Sequence, residues 1–275
     1  MAAVTGDEQW LRSSVGSATP DSITVGGRDL PSEVMGRLTL TELAYLLIVG
    51  REATPAQRRM LDVVLVSLAD HGLTPGALAA RLTYTGAPEA PQAAIAAGLL
   101  GAGSVFLGPT GDTAEFLADA LAEPLVAAGG AELGDEQLRA VAVVAVEQCR
   151  AAGRRVPGLG HPVHREVDPR TPRLYDLAEA EGLLGPHLRL LRLVGEANRE
   201  LDGRRLPVNG AGAGGAALVD IGIPPGSVRG VVLIARTAGL VAHLAEEARH
   251  PIGRRLWLET EERAEPLSGE DPAAD

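Results

Sequence analysis

The most informative stretch of this sequence is RRVPGLGHPVHREVDPR, which occupies residues 154–170. Two glycines and two prolines fall within residues 157–162, so the stretch forms neither a regular helix nor a central strand. The resulting loop carries two of the chain's six histidines and four arginines. Because histidine exchanges protons near neutral pH and arginine binds carboxylate or phosphate groups, the loop predicts a site for an anionic substrate. The alternative is a surface connector whose charges are only solvated.

The composition favours helices. The 275 residues are 45% hydrophobic but only 3% aromatic, with alanine and leucine dominant. Such a composition is typical of closely packed helices and not of a β-sandwich, so we expect an all-α protein. The net charge of −11 argues against binding to nucleic acid or to an anionic membrane.

Two features of the composition exclude whole classes of chemistry. All 25 basic residues are arginine, which excludes lysine Schiff bases, lysine-bound pyridoxal phosphate and a Walker-type phosphate loop. Cys149 is the single cysteine, which excludes disulfide frameworks and cysteine-rich zinc sites. Because we find neither a secretory signal nor an uninterrupted apolar run of about 18 residues, we expect a cytoplasmic protein.

Helix signals recur along the chain, whereas strand signals are scarce. Thr39 and Glu42 have the spacing of a capping box, Gly50 ends that helix, and Thr54-Pro55 opens the next. A short strand or hairpin is predicted at residues 23–31. Further helices are predicted at two positions within about 75–105 and at about 112–128, 135–152, 172–181, 185–201, 209–222 and 227–248.

Several motifs together resemble the citrate synthase superfamily. The loop Gly158-Leu-Gly-His161 followed by Asp168-Pro-Arg170 is similar to the family's Gly-aromatic-Gly-His loop and its Asp-Pro-Arg. Other similar elements follow in the family's order: Asp70-His71, Gly222-Ile-Pro-Pro225, the helix with Arg236, and Pro251-Ile-Gly-Arg254-Arg255. The glycine-rich residues 98–106 resemble the citryl-CoA lyase branch, which includes the lyase module of ATP-citrate lyase.

The resemblance implies a fold and an assembly. We expect a large helical domain formed by residues 1–108 and 213–275, with a smaller helical domain inserted at 109–212. Residues 1–20 and 264–275 are expected to be loose tails. The resemblance also implies a homodimer, because each site of the family borrows an arginine from the partner subunit.

The resemblance further implies an activity. The family joins or splits a CoA thioester and a 2-oxo acid at a carbon–carbon bond, so CoA is part of the substrate and no tightly bound cofactor is expected. His161 corresponds to the histidine that contacts the carbonyl oxygen which becomes the hydroxyl. The implied carboxylate ligands are His71, Arg170 and Arg236, with Arg254 or Arg255 reaching into the partner's site. The implied adenine pocket is lined by the backbone of Val156, Pro157, Gly158, Leu159 and Gly160.

Two catalytic positions depart from the family pattern. Phe106 or a neighbour stands where the family has its first catalytic histidine, a change that the lyase branch shares. Ala211, two residues after Asn209, stands where the family has its catalytic aspartate. Asp220, the next carboxylate along this helix, should lie about 13 Å away, so we interpret it as a helix-end or surface group.

Three candidates could replace the missing aspartate: the substrate itself, a water held by Asn209, or His164. The sequence therefore supports a citryl-CoA-lyase-like enzyme, or one catalysing the reverse condensation. The alternative is a pseudoenzyme that binds CoA thioesters and carboxylates without turnover. Metal binding through His161 and His164 is a third possibility, but two histidines are too few for a typical site, and we expect no metal.

The remaining histidines carry no motif. His187 and His250 have no partner at a suitable spacing, so surface positions are expected for both. His243, four residues before Glu247 on a predicted helix, is interpreted as a hydrogen-bonded core or interface residue.

Overall fold

The structure, a computed structural model, describes residues 13–265. Eleven α-helices make up most of the described chain, so the predicted all-α class is confirmed. Their bounds are α1 Leu40–Val49, α2 Pro55–Leu68, α3 Pro75–Gly86, α4 Pro91–Leu100, α5 Gly108–Ala128, α6 Asp135–Ala151, α7 Arg170–Ala180, α8 Pro186–Asp202, α9 Gly210–Asp220, α10 Pro225–Arg249 and α11 Gly253–Arg263.

A small antiparallel sheet precedes the helices. Its strands β1 Gly16–Ala18, β2 Ile23–Val25 and β3 Arg28–Asp29 pair in chain order. The predicted hairpin is confirmed, but β1 was expected in a loose tail, and that part of the prediction is wrong. The residues of β1, Gly16, Ser17 and Ala18, are small and have low strand propensity, so they give no strand signal in the sequence. Of the predicted tails, residues 1–12 and 266–275 lie outside the described residues.

The predicted helix ends are found where their capping residues stand. The Thr39 hydroxyl accepts the N–H of Glu42 at 3.2 Å, and the Glu42 carboxylate accepts the N–H of Thr39 at 2.8 Å. This reciprocal pair confirms the capping box at the start of α1. Gly50 ends α1 with φ 80°, a left-handed conformation that glycine adopts without strain.

The described chain divides into two compact units. Unit 1 comprises the described part of Met1–Val64 together with Thr110–Val228, and unit 2 comprises Leu65–Pro109 together with the described part of Arg229–Asp275. These bounds differ from the domain bounds expected from the sequence. The predicted inserted domain at 109–212 therefore stays a prediction.

Unit 1 is built around α8 and α9. The buried residues of α8 recur every three or four positions, as expected for one buried helix face, and α8 packs against α6 and α9. Helix α9 consists almost entirely of small residues because its neighbours come very close. A Cβ atom on Gly215 would clash with the carbonyl oxygen of Thr110, near the start of α5.

Unit 2 is built around α3, α4 and α10. Ala80, Ala94, Leu240 and Leu244 form its apolar cluster. A Cβ atom on Gly98 would lie 2.8 Å from the methyl groups of Leu240. This close approach shows that the glycine at this position serves helix packing.

Helix α10 is long and apolar enough to cross a membrane, judged by length and composition alone. Within unit 2, however, its Leu240 and Leu244 face the apolar cluster. Its His243 and Glu247 are buried and hydrogen-bonded to other side chains. We therefore interpret α10 as a core helix.

The close approach of α9 to α5 predicts a strong effect of one added methyl group. We expect Gly215→Ala to lower the free energy of unfolding by about 1–3 kcal/mol, since the backbone must shift to relieve the clash. Gly226→Ala is the matched control in unit 1, because a Cβ atom there meets nothing within 4 Å. Urea denaturation followed by circular dichroism gives both values. Equal stabilities of the two variants would contradict this account of α9.

Candidate active site

The loop between α6 and α7 is pinned to the segment that precedes α9. The N–H of Gly160 donates to the carbonyl of Pro207 at 2.8 Å, and the N–H of Asn209 donates to the carbonyl of Gly158 at 2.9 Å. Gly158 and Gly160 have φ values of 82° and 81°, which favour glycine strongly over other residues. The shaped loop expected from the sequence is confirmed.

Glycines on both sides allow the loop to contact α9. A Cβ atom on Gly212 would lie 2.5 Å from the Cα atom of Gly158, and one on Gly158 would lie 2.8 Å from Leu191. No side chain fits between these two backbone segments. The first turn of α9 and the loop therefore act as one rigid piece of backbone.

Asn209 fastens the loop to α9. Its side-chain oxygen accepts the N–H of Gly212 at 2.7 Å and so caps the helix, while its amide nitrogen donates to the carbonyl of Gly160 at 2.8 Å. Asn209 is buried, and both polar atoms of its side chain are engaged. These contacts favour a positioning role for Asn209, and its predicted catalytic role stays a prediction.

His161 is held in one tautomer by the loop that follows it. Its Nδ1 accepts the backbone N–H groups of Val163 at 3.1 Å and His164 at 3.0 Å. Because backbone N–H groups can only donate, Nδ1 carries no proton, and the ring proton of the neutral histidine is on Nε2. His161 thus presents an N–H donor, which suits contact with a carbonyl or alkoxide oxygen.

His164 lies directly beside His161. The two rings stack with centroids 4.4 Å apart and an angle of 29° between their planes. Since Nδ1 of His161 already accepts two hydrogen bonds, this atom cannot also bind a metal ion. The stacking brings both predicted catalytic histidines to one place in unit 1.

Asp168 is the buried anchor of the loop. One carboxylate oxygen accepts Nε of Arg170 at 3.0 Å, and the other accepts Nη2 of Arg170 at 2.7 Å and the N–H of Gly210 at 2.7 Å. Burial raises the pKa of Asp168, but the hydrogen bonds from Arg170 and Gly210 outweigh burial and hold this pKa well below its usual range. Asp168 therefore stays ionised and ties the end of the loop to the first residue of α9.

Asp168 is recognisable in the sequence as part of a motif, but its role is not. The signal that could have revealed the role is its spacing. A carboxylate two residues before an arginine that begins a helix can bind that guanidinium in a two-pronged geometry.

Arg170 receives its orientation from Asp168. The two parallel hydrogen bonds fix the plane of the guanidinium, and a Cβ atom on Gly210 would lie 2.5 Å from Nε of Arg170. The side chain is 21% exposed. The structure thus shows a rigid, partly accessible arginine at this position, and its predicted role as a carboxylate ligand stays a prediction.

Ala211 and Asp220 lie at opposite ends of α9. Ala211 follows the Gly210 N–H that binds Asp168. Asp220 accepts the N–H groups of His187 at 3.0 Å and Leu188 at 2.9 Å and so caps the start of α8. Its interpretation as a helix-end group is confirmed.

The expected surface position of His187 is wrong. His187 is buried, and its Nδ1 lies 2.8 Å from the carboxylate of Asp220. The partner is 33 residues away in the chain, so local spacing could not reveal it. His250 is exposed, as expected.

The predicted adenine-pocket backbone lies on the inner part of the loop. Val156 and Gly158 are buried, and Pro157, Leu159 and Gly160 are half-buried. Contact between this segment and CoA stays a prediction.

Two further predicted ligands lie close together in unit 2. His71 is exposed and follows Asp70, whose carboxylate accepts the N–H of Gly72 at 2.7 Å. Arg236 donates from Nη2 to the carbonyl of Leu68 at 3.0 Å, at the end of α2. The structure therefore brings the His71 segment and Arg236 to the same end of α2.

The two candidate arginines of α11 have different surroundings. Arg255 pairs with Glu259 one helical turn further on, whereas Arg254 has no ion-pair partner among the described residues. Both are exposed. Arg254 is accordingly the better candidate for binding the carboxylate of a ligand.

Phe106 lies in the turn before α5, and the backbone beside it is unusual. Its side chain is 42% exposed. Leu107, the next residue, has φ 62°, a conformation that costs a residue with a Cβ atom about 1–2 kcal/mol. Backbone strain of this kind concentrates at functional sites.

Comparisons with known proteins agree on one family. The family model described as citrate synthase, C-terminal domain, matches residues 22–256. Citryl-CoA lyase from Hydrogenobacter thermophilus is 27% identical, with 96% of both chains covered and a TM-score of 0.80. No curated protein sequence matches the chain significantly.

More distant solved structures show the same fold. An ATP citrate lyase variant from Methanosaeta concilii, in complex with (3S)-citryl-CoA, is 21% identical with a TM-score of 0.69, covering 94% of this chain and 42% of that one. Citrate synthase from Thermotoga maritima is 17% identical with a TM-score of 0.62, covering 86% and 60%. The predicted citrate-synthase-like fold is confirmed.

The contacts of Asp168 predict a pH-dependent contribution to stability. Because its pKa is lower in the folded than in the unfolded chain, this contribution is present above about pH 4 and is lost as the pH falls further. We expect Asp168→Asn to lower the free energy of unfolding at pH 7 by about 3 kcal/mol and to remove that pH dependence. Urea denaturation from neutral to acidic pH measures both effects.

Asp62→Asn is the control, because the ion pair between Asp62 and Arg58 is partly exposed. This change should cost less than about 1 kcal/mol. Parallel loss of stability by the wild type and Asp168→Asn below pH 4 would contradict the assigned role.

Proposed function

The chain belongs to the citrate synthase family, and on this premise we propose that it is a citryl-CoA-lyase-like enzyme which cleaves a carbon–carbon bond in a CoA thioester of a hydroxy acid, or catalyses the reverse condensation. The observation that carries the proposal is the likeness to a citryl-CoA lyase over 96% of both chains. The fixed Nε2–H tautomer of His161 supports it chemically.

In the cleavage direction the substrate hydroxyl passes its proton to a base and becomes a carbonyl. The electron pair of the breaking carbon–carbon bond passes to the thioester fragment and forms an enolate, and the protonated base returns the proton to the enolate carbon. The Nε2–H of His161 stabilises the negative charge on the oxygen that changes between alkoxide and carbonyl. In the condensation direction the same donor stabilises the alkoxide as it forms.

Carboxylates of the substrate would be held by His71, Arg170 and Arg236. Arg170 is already oriented by Asp168, so less rotamer freedom is lost when it binds a second carboxylate. CoA enters as part of the substrate, and the chemistry needs no further cofactor.

The family's aspartate base is replaced by Ala211, so another group must move the proton at carbon. His164 is the candidate best supported by geometry, since its ring stacks on His161. Assistance by a substrate carboxylate is the second candidate. A water held by Asn209 is less well supported, because both polar atoms of that side chain are engaged.

The alternative is a pseudoenzyme that binds CoA thioesters and carboxylates without turnover. Ala211 is the feature that favours it, because the carboxylate base of the family is missing there. Purified protein incubated with citryl-CoA, and with acetyl-CoA plus a panel of 2-oxo acids, separates the two functions. Measurable CoA binding without cleavage, condensation or proton exchange at the thioester methyl would refute the lyase and support the pseudoenzyme.

His161 gives the sharpest test of the mechanism. In His161→Asn the amide oxygen can still accept the two N–H groups that Nδ1 accepts, but the Nε2–H donor is lost. We expect kcat to fall about 10²–10³-fold with CoA affinity unchanged. His250→Asn, at an exposed histidine, is the control and should keep full activity. Equal kcat values in both variants would remove His161 from the mechanism.

The two neighbouring arginines of α11 form a matched pair. We expect Arg254→Ala to raise KM about tenfold by removing one carboxylate contact, whereas Arg255→Ala leaves KM within about twofold. Steady-state kinetics with citryl-CoA measures both. A larger effect of Arg255→Ala would assign the carboxylate to Arg255 instead.

We further propose that the protein acts as a cytoplasmic homodimer in which Arg254 serves the partner's site. The buried single cysteine fits a reducing compartment, and the exposed Arg254 lacks an ion-pair partner among the described residues. Cell fractionation tests the location.

Mixing two impaired variants, assayed at a substrate concentration well below the wild-type KM, tests the shared site. When His161→Asn and Arg254→Ala subunits exchange, about half of the dimers should contain one subunit of each kind. Each mixed dimer has one intact site out of two, so about a quarter of the wild-type number of sites should be recovered. No recovery, despite subunit exchange shown by mass, would place each Arg254 in its own subunit's site.

A further inference from the structure

A hydrogen-bonded network of four polar side chains runs through unit 2, outside the groups assigned so far. Three of them are buried, and the fourth, Asp70, is exposed. Its members are Asp70, His243, Arg81 and Glu247. Arg81 is 2% exposed and Glu247 3% exposed, which is rare for such residues. One end of this network lies beside His71 and the other beside Arg254, and both of these are predicted carboxylate-binding residues.

At one end, the network holds the segment that carries His71. Nδ1 of His243 accepts Nε of Arg81 at 3.2 Å, and a guanidinium can only donate. The proton of the neutral His243 ring is therefore on Nε2, which donates to Asp70 at 2.8 Å. Asp70 also accepts the N–H of Gly72 at 2.7 Å, so contacts on both sides restrain His71.

At the other end, the network holds the start of α11. Nη1 of Arg81 donates to one carboxylate oxygen of Glu247 at 3.1 Å. The other oxygen accepts the N–H groups of Ile252 at 2.9 Å and Gly253 at 2.7 Å. A helix whose first N–H groups are bound in this way has a fixed starting point, and Arg254 is its next residue.

Stability alone does not explain this arrangement. Buried ion pairs contribute little net stability, because the cost of desolvation offsets their attraction, and apolar residues of similar size do as well or better. A hydrogen-bonded network of this kind instead fixes the relative positions of its side chains.

We propose that Asp70, His243, Arg81 and Glu247 are positioning residues that hold His71 and Arg254 ready to bind substrate carboxylates. The proposal rests on the proposed function, since the carboxylates belong to the substrate named there. None of the four needs to touch the substrate. They act through the segments at the two ends of the network, which are the segment that carries His71 and the start of α11.

Two variants test the network at different points. His243→Phe breaks the links to Asp70 and Arg81. Glu247→Gln keeps an acceptor for the α11 N–H groups but removes one of the two carboxylate charges that face Arg81, the other being that of Glu246. His187→Phe is the matched control, because it removes a histidine–aspartate contact of the same 2.8 Å length in unit 1, made by an equally buried histidine.

The expected result is a change in binding without a change in chemistry. KM for citryl-CoA should rise about tenfold in both network variants with kcat within about threefold, while His187→Phe keeps both constants. An unchanged KM in the network variants overturns the proposal. An equal rise of KM in His187→Phe also overturns it, because the rise would then be a consequence of general destabilisation.

A second readout separates this proposal from the proposed function. Trp257 lies on α11, and replacing Trp10 by Phe leaves it as the single tryptophan. If the wild type cleaves no citryl-CoA, the proposed function fails, and citrate binding and Trp257 fluorescence anisotropy still test the network. About tenfold weaker citrate binding, with lower anisotropy in Glu247→Gln, supports it. Unchanged citrate affinity and anisotropy overturn it.

Discussion

The candidate site of unit 1 depends on one buried carboxylate. Asp168 binds the guanidinium of Arg170 with both oxygens and also accepts the N–H of Gly210. This single side chain fixes the end of the loop, the orientation of an arginine and the start of a helix. Without it, the guanidinium of Arg170 would lose the two hydrogen bonds that fix its plane, the N–H of Gly210 would lose its acceptor, and the loop carrying His161 would lose its anchor.

The geometry of the site is created by backbone contacts as much as by side chains. Glycines at 158 and 212 let the loop and α9 approach until no side chain fits between them. Backbone N–H groups select the tautomer of His161, and backbone groups bind both ends of the Asn209 amide. The reactive groups are therefore held by parts of the chain that few substitutions can change, and preorganisation of this kind favours catalysis.

Local signals were predictable from the sequence, and contacts between distant segments were not. The capping box at Thr39, the glycine that ends α1 and the shaped loop follow from rules that act within a few residues. The burial of His187 depends on Asp220, and the cap on α11 comes from Glu247 in the preceding helix. The motif order identified the family, but it gave no role to Asp168, whose importance depends on a contact with Gly210.

The small residues of α9 also determine which of its positions can change. Gly210 and residues 212–218 are buried, so larger side chains at these positions would have to displace neighbouring atoms, whereas Ala211 is half-buried. A polar side chain at residue 211 would therefore keep part of its surface in contact with solvent. The residues that follow it are fixed by their close packing against α5 and the loop, so residue 211 is the position in the first two turns of α9 that can vary at least cost.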